Sequence, residues 1–207
     1  MAGRVRHHPA LRYAELPAFV AALQLQQGLS AAALQFTILT VARTSEALLA
    51  QWPEFDLEKA VWTVPGMRMK SKREHRVPLS KPVIKLLRAR YDATAGKGFL
   101  FPGERPPKPL SNMAMLMMLE RMGRDDLTVH GFRSTFRDWV EEETTFQGSV
   151  AEAALAHVVG DKVEAAYRRG DLFEKRRELM DAWAKFATTP AAQKATNVVS
   201  IKGVQRA

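Results

Sequence analysis

"LTVHGFRSTFRDWVEEE", residues 127–143, contains the most regular spacing in the chain. Phe132, Phe136, Trp139 and Val140 stand at i, i+4, i+7 and i+8, which is the pattern of one buried face on a helix with 3.6 residues per turn. His130, Arg133 and Arg137 then fall together on a flank away from that face. Taken alone, such a flank reads first as a solvated surface and only second as an anion site. The choice depends on what the rest of the chain brings to it.

Outward from this helix the pattern is mostly helical. "AELPAFVAALQLQQG" (14–28) has helical apolar spacing and ends at a glycine, which predicts a C-cap there, with Ser30 as the N-cap of the next helix. "AAALQFTILTVA" (31–42) reads as a buried helix and is too short and too interrupted by Gln and Thr to span a bilayer. A new helical start follows at Thr44 and Ser45, so Arg43 sits at a helix junction in apolar surroundings, with Glu46 three residues on as a partner. "AVWTVP" (60–65) predicts a strand, and "GMRMK" and "HRVPLS" around "SKRE" predict a hairpin with a basic tip. Further helices are predicted over 81–94, over methionine-rich "NMAMLMMLERMG", and at about 128–143, 149–157, 161–169 and 173–187, with a proline-rich surface loop at 101–111. The methionines read as core filling. The expected fold is therefore mostly α with a small antiparallel β-sheet, in one α+β domain over residues 1–187 followed by a loose tail at 188–207.

Composition narrows the function. With 31 Lys plus Arg against 22 Asp plus Glu the formal net charge is +9, which favours a polyanion, either nucleic acid or an acidic membrane surface. Positions 68, 70, 72, 73, 76, 81, 85, 88 and 90 are basic and only Glu74 among residues 68–90 is acidic, so one hairpin and the helix after it carry nearly the whole excess. That concentration fits a surface that tracks phosphates. There is no cysteine, which excludes disulfides and thiol catalysis and is compatible with the cytoplasm. The start of the chain lacks the apolar run of a signal peptide, and no tight cluster of Asp, Glu and His offers a metal site, so neither metal nor cofactor is expected.

Arg43 with Glu46 in "TVARTSE", Lys70 in "MRMKSKREHRVPLS", His130 and Arg133 in "HGFRSTFRDW", His157 in "ALAH" and Tyr167 in "EAAYRRGD" follow one another in a fixed order. That series resembles the catalytic domain of tyrosine recombinases, and most closely the integrases of genomic islands and satellite phages, over about residues 10–187. The resemblance implies that Arg43 and Arg133 grip a DNA phosphate and that Tyr167 attacks it. It also implies that Lys70 protonates the leaving oxygen, His130 shuttles the phenolic proton, His157 donates to the phosphate and Glu46 orients Arg43. Arg68, Lys72, Arg73, Arg76, Arg137 and Arg168 are the expected DNA-binding side chains, while Tyr13 and Tyr91 are expected to pack.

The implied activity is site-specific recombination of double-stranded DNA, for integration or excision of a mobile element. A relaxing enzyme of the type IB topoisomerase kind and a non-catalytic DNA-binding remnant remain as alternatives. The resemblance further implies a tetramer on DNA with accessory DNA-bending proteins, no membrane partner, and a tail that docks on a neighbouring protomer through "NVVSI". As a fragment the chain would be a monomer or weak oligomer. Core-binding and arm-binding domains that the family carries ahead of this region are not expected in this chain. A final departure is "TVAR", where the family often has glycine before the arginine.

Overall fold

The computed structural model describes residues 9–105, 107–157 and 171–190. Eight helices lie in these stretches: α1 Leu16–Gln24, α2 Leu29–Thr40, α3 Thr44–Leu48, α4 Lys81–Thr94, α5 Ala114–Arg121, α6 Gly131–Glu143, α7 Gly148–Ala154 and α8 Phe173–Thr188. Three short strands, β1 Phe55–Asp56, β2 Val61–Val64 and β3 His75–Pro78, form one antiparallel sheet in the order β1-β2-β3. The mostly helical reading with a small antiparallel sheet holds, and among the described residues no helix is long and apolar enough to cross a membrane.

Two helices organise the packing. The central α2 lies against α1, α4, α5 and α8, and its Ala33, Leu34 and Phe36 have no exposed surface. α8 crosses α1, α2, α4, α7 and β3, so the last described helix closes the core. Its Trp183 is fully buried, stands edge-on to Phe136 at 5.2 Å, and donates its indole N–H to the carbonyl of Ile38 at 2.9 Å. The stripe read from the sequence of α6 is its buried face: Phe132, Phe136, Trp139 and Val140 are all buried, Phe136 and Trp139 against Trp183 of α8 and Phe132 against Phe19 of α1. Burying rings of this size supplies a large share of the apolar stabilisation of a domain.

α6 can start where it does because Gly131 lacks a side chain. A Cβ there would come within 2.1 Å of the Pro9 carbonyl oxygen, so only glycine lets the N-terminal segment pass over the helix. Thr135, one turn later, donates its hydroxyl to the Leu11 carbonyl at 2.6 Å and fixes that crossing.

Local boundaries differ from the sequence reading in four places. The first helix ends at Gln24, and Gly28, with φ of 97°, is the N-cap of α2 rather than a C-cap of α1. Ser30 consequently lies inside α2, where its hydroxyl accepts from Arg121 at 2.7 Å. The hairpin partner of β3 is β2, with Trp62 opposite Val77 and Val64 opposite His75. "GMR" is instead a single 3-10 turn at Gly66–Arg68, and the two-residue β1 had no alternating pattern by which to be recognised. Met115 and Met118 of α5 are core, as read, but Met113 and Met117 face solvent. The helix expected at 161–169 and the tail segment "NVVSI" fall outside the described residues.

Replacing Trp183 with Ala should cost about 3–5 kcal/mol, the range for deleting a buried aromatic side chain, because the cavity opens between α2, α6 and α8. Urea unfolding measures this. A loss under about 1 kcal/mol would mean that α8 does not close the core.

Candidate active site

The end of α2 sets the first functional side chain. Val41 follows the helix in the left-handed region, φ 49°, which turns the chain so that Arg43 becomes the N-cap of α3. A β-branched residue rarely adopts that conformation, so the surrounding structure must hold it there. Glu46 supplies part of the hold. Its Oε2 accepts the Arg43 backbone N–H at 2.9 Å and its Oε1 takes Arg43 Nη1 at 2.7 Å. Glu46 is 4% exposed, so this carboxylate is buried and compensated by the arginine beside it. The pairing is the one expected from the three-residue spacing.

Arg133 reaches the same place from α6. It is 5% exposed and does not lie on a solvated flank as the helical spacing suggested. Its Nη1 donates to the carbonyl of Val41, and its Nη2 donates to the carbonyl of Leu155 at 2.6 Å. Arg43 Nη2 donates to the next carbonyl, that of Ala156, at 3.3 Å. Ala156 also has a positive φ, 49°, so two strained non-glycine residues, Val41 and Ala156, aim carbonyls at the two guanidiniums. The guanidiniums thus meet on consecutive peptides at the end of α7.

His157 completes the cluster. Its Nε2 lies 3.1 Å from Arg133 Nη2, and its Nδ1 lies 2.7 Å from Glu152 Oε2. Glu152 also pairs with the exposed Arg137 at 3.3 Å, so Arg137 is engaged by a carboxylate within the chain. Nothing in the sequence reading pointed to Glu152, although its place five residues before His157, within the helix expected at 149–157, was visible; α7 in fact ends at Ala154, before His157. His130 is exposed at the N-cap of α6, and its carbonyl accepts the Arg133 backbone N–H at 3.0 Å.

Two like charges this close resist burial. Loss of solvation, then repulsion from Arg43, lowers the Arg133 pKa to about 10, with Glu46 and Glu152 acting in the opposite sense. The group remains cationic at neutral pH, and its buried Nε has no protein partner among the described residues. His75 on β3 is a second residue the sequence reading missed. Burial lowers its pKa to about 4; Arg176 and Arg43 act in the same direction, against Glu46 and the Ala154 carbonyl, to which the ring hydrogen-bonds. It is therefore a neutral imidazole linking β3 to the end of α7.

The hairpin contributes its base to the site and its tip to solvent. Arg68 was expected to face DNA, but its side chain is only 14% exposed. It pairs with Glu54 and donates to the Glu46 carbonyl at 3.1 Å, which makes it a strut under α3. Met69 is buried beside it, and beyond that anchor Lys70, Lys72 and Arg73 are exposed. Arg76 is held by Asp171, at 2.8 Å, in place of a free surface position. Tyr167 and Arg168 lie outside the described residues. Of the other two tyrosines, Tyr91 stands edge-on to Trp52, and Tyr13 donates its hydroxyl to Glu142 and Glu143. Hydrogen bonding to those carboxylates pushes the Tyr13 pKa up to about 12, so its phenolate is disfavoured at neutral pH.

Chemically, two guanidiniums and a histidine that converge on one spot can receive a tetrahedral oxyanion. Comparison with known proteins gives the class. The profile of the phage integrase family matches residues 9–171, and the chain belongs to that family, the tyrosine recombinases its motifs resemble. Prophage integrase IntA of Escherichia coli (strain K12) is 38% identical over 149 residues, 71% of this chain and 36% of that protein. The integrase of Enterobacteria phage P4 is 33% identical over 202 residues, 88% of this chain and 46% of that protein. The chain therefore spans less than half the length of these curated relatives. In fold it is similar to the integrase from mycobacterium phage Brujita, with a TM-score of 0.64 at 17% identity over 94% of this chain and 63% of that one. XerA recombinase gives 0.58 at 16% identity, over 84% and 65%.

His75 makes the site sensitive to acid. In the unfolded chain it titrates near the ordinary value of about 6.5, whereas in the fold it titrates at about 4. On acidification the unfolded state takes up the proton first, so the stabilisation is complete above about pH 6.5 and is lost as pH falls towards 4. The loss is at most about 3 kcal/mol. Thermal melts from pH 7 to 4 should show a shallower decline for His75→Gln than for the wild type, and parallel curves would remove His75 from this role.

Proposed function

We propose that this chain is the catalytic part of a site-specific DNA recombinase that cuts and rejoins strands through a 3′-phosphotyrosyl intermediate, integrating or excising a mobile element. The observation that carries this reading is the convergence of Arg43 and Arg133 on the carbonyls of Ala156 and Leu155, with His157 against Arg133. A scissile phosphate seated there meets donors already in place, and its developing negative charge is stabilised without reorganisation of the protein.

In this mechanism Tyr167 Oη forms a bond to phosphorus while the bond to the 5′-bridging oxygen breaks. Lys70 gives its proton to that oxygen, and His130 accepts the phenolic proton. The exposed tip carrying Lys70 suits a donor that must reach a DNA strand lying over the protein surface. The phosphotyrosyl ester keeps the energy of the broken diester, so a 5′-hydroxyl from another strand can reverse the step without a nucleotide cofactor. Lys72 and Arg73, exposed beside Lys70, and Arg168 contact flanking phosphates. Residues 1–187 act as the catalytic unit and residues 188–207 bridge protomers in a tetramer assembled on DNA with bending proteins. A DNA substrate of this kind places the work in the cytoplasm.

A nicked suicide duplex carrying the core site should trap a denaturant-resistant protein–DNA adduct with the wild type and none with Tyr167→Phe. Arg43→Ala and Arg133→Ala should each slow adduct formation by about 10²–10³, the cost of removing one preorganised oxyanion donor. An adduct formed at the normal rate by Tyr167→Phe, or by Arg133→Ala, would refute the assignment.

A further inference from the structure

One ionic cluster is not used by the chemistry above. Asp171 Oδ2 accepts from Arg76 Nε at 3.0 Å, from Arg76 Nη2 at 2.8 Å and from Arg176 Nη2 at 2.8 Å. Arg176 is 1% exposed and is held on its other sides by backbone: Nε donates to the Asp171 carbonyl at 2.8 Å and Nη1 to the Arg76 carbonyl at 2.5 Å. The ring of Phe173 is ringed by guanidiniums, with Arg76 at 4.5 Å, Arg177 at 4.9 Å and Arg176 at 5.5 Å from its centroid. A buried arginine needs its counter-charge and every donor satisfied, and removing one partner of such a pair is costly. Position 171 is thereby fixed against β3.

The two chain neighbours of this cluster explain why its place matters. Arg76 sits on β3 opposite Thr63, and the loop that hangs from this strand carries Lys70, six residues earlier. Tyr167 precedes Asp171 by four residues, a span of at most about 14 Å of chain. One carboxylate, four residues after the nucleophile in the chain, is therefore bonded to the strand whose hairpin carries the proton donor. In-line displacement needs those two groups on opposite sides of one phosphorus at the same time.

We propose that Asp171 is a positioning residue: bonded to Arg76 and Arg176 at once, it anchors the chain four residues beyond Tyr167 to the β2–β3 hairpin, so that nucleophile and leaving-group acid are delivered together. This rests on the roles given above to Tyr167 and Lys70. It also gives Arg76 a task other than DNA contact.

The test compares two duplexes of identical sequence, chosen by covalent capture on the wild-type chain from a library with a randomised core. One has the natural 5′-oxygen at the scissile phosphate and the other a 5′-bridging sulfur, which departs as a thiolate and needs no proton. In single turnover, Asp171→Asn and Arg76→Gln should each slow cleavage of the oxygen duplex by about 10² but of the sulfur duplex by only about tenfold. Together the two changes should cost little more than either alone, because they break one contact. Asp171→Glu should recover most of the rate, and DNA affinity should stay within about twofold of wild type in every variant.

Equal losses on both duplexes would show that the cluster is merely structural, and no loss on either would show an idle surface pair. Weakened binding by Arg76→Gln would return that residue to the DNA interface. Each of these results overturns the proposal while leaving the reaction intact. Failure of the wild type to capture any duplex would instead defeat the reaction, and the coupling with it. If Asp171→Asn does not fold, as a melt would reveal, Arg76→Gln carries the comparison, since its side chain is 46% exposed.

Discussion

The burial of the Arg133 guanidinium between the carbonyls of Val41 and Leu155 is the contact on which the rest of the site depends. It joins three elements that are distant in sequence: the end of α2, the first turns of α6, and the end of α7. Each is brought there by apolar packing, chiefly the aromatic faces that α6 and α8 press together. The two Nη atoms of Arg133 are met by backbone oxygens, its Nε has no protein partner among the described residues, and no carboxylate is bonded to it there, an arrangement that suits the anion receptor proposed above.

Charge balance across the site follows from the same arrangement. Glu46 compensates Arg43, and Glu152 is divided between His157 and Arg137, so Arg133 faces Arg43 without a dedicated counter-ion. Repulsion between the two arginines raises the energy of the site, and the anion proposed above would relieve it. The left-handed Val41 and Ala156 add strain of order 1–3 kcal/mol each.

How much of this was legible in the sequence depended on distance along the chain. The apolar stripe of α6 and the grip of Glu46 on Arg43 are repeats within one helical turn, and both were readable. The setting of Arg133 was not, because its partners are 92 and 22 residues away and helical spacing alone put it on a flank away from the core stripe. The same holds for Arg68 and Arg76. A run of basic residues looks like one surface until Glu54 and Asp171, 14 and 95 residues off, claim two of its members. His75 and Glu152 were passed over because neither a lone histidine in a strand nor a glutamate in a short helix differs by spacing from ordinary residues. Tyr167 and Arg168 rest on the motif alone, outside the described residues.

The central claim is that the Arg133 charge serves a phosphate oxygen. Replacing one non-bridging oxygen of the scissile phosphate by a methyl group removes the negative charge that the arginine would meet. If the claim holds, Arg133→Ala, slow by about 10² or more on the natural duplex, should recover to within about tenfold of wild type on the neutral one. An Arg133→Ala defect of the same size on both duplexes would contradict it and leave Arg133 as a strut of the fold.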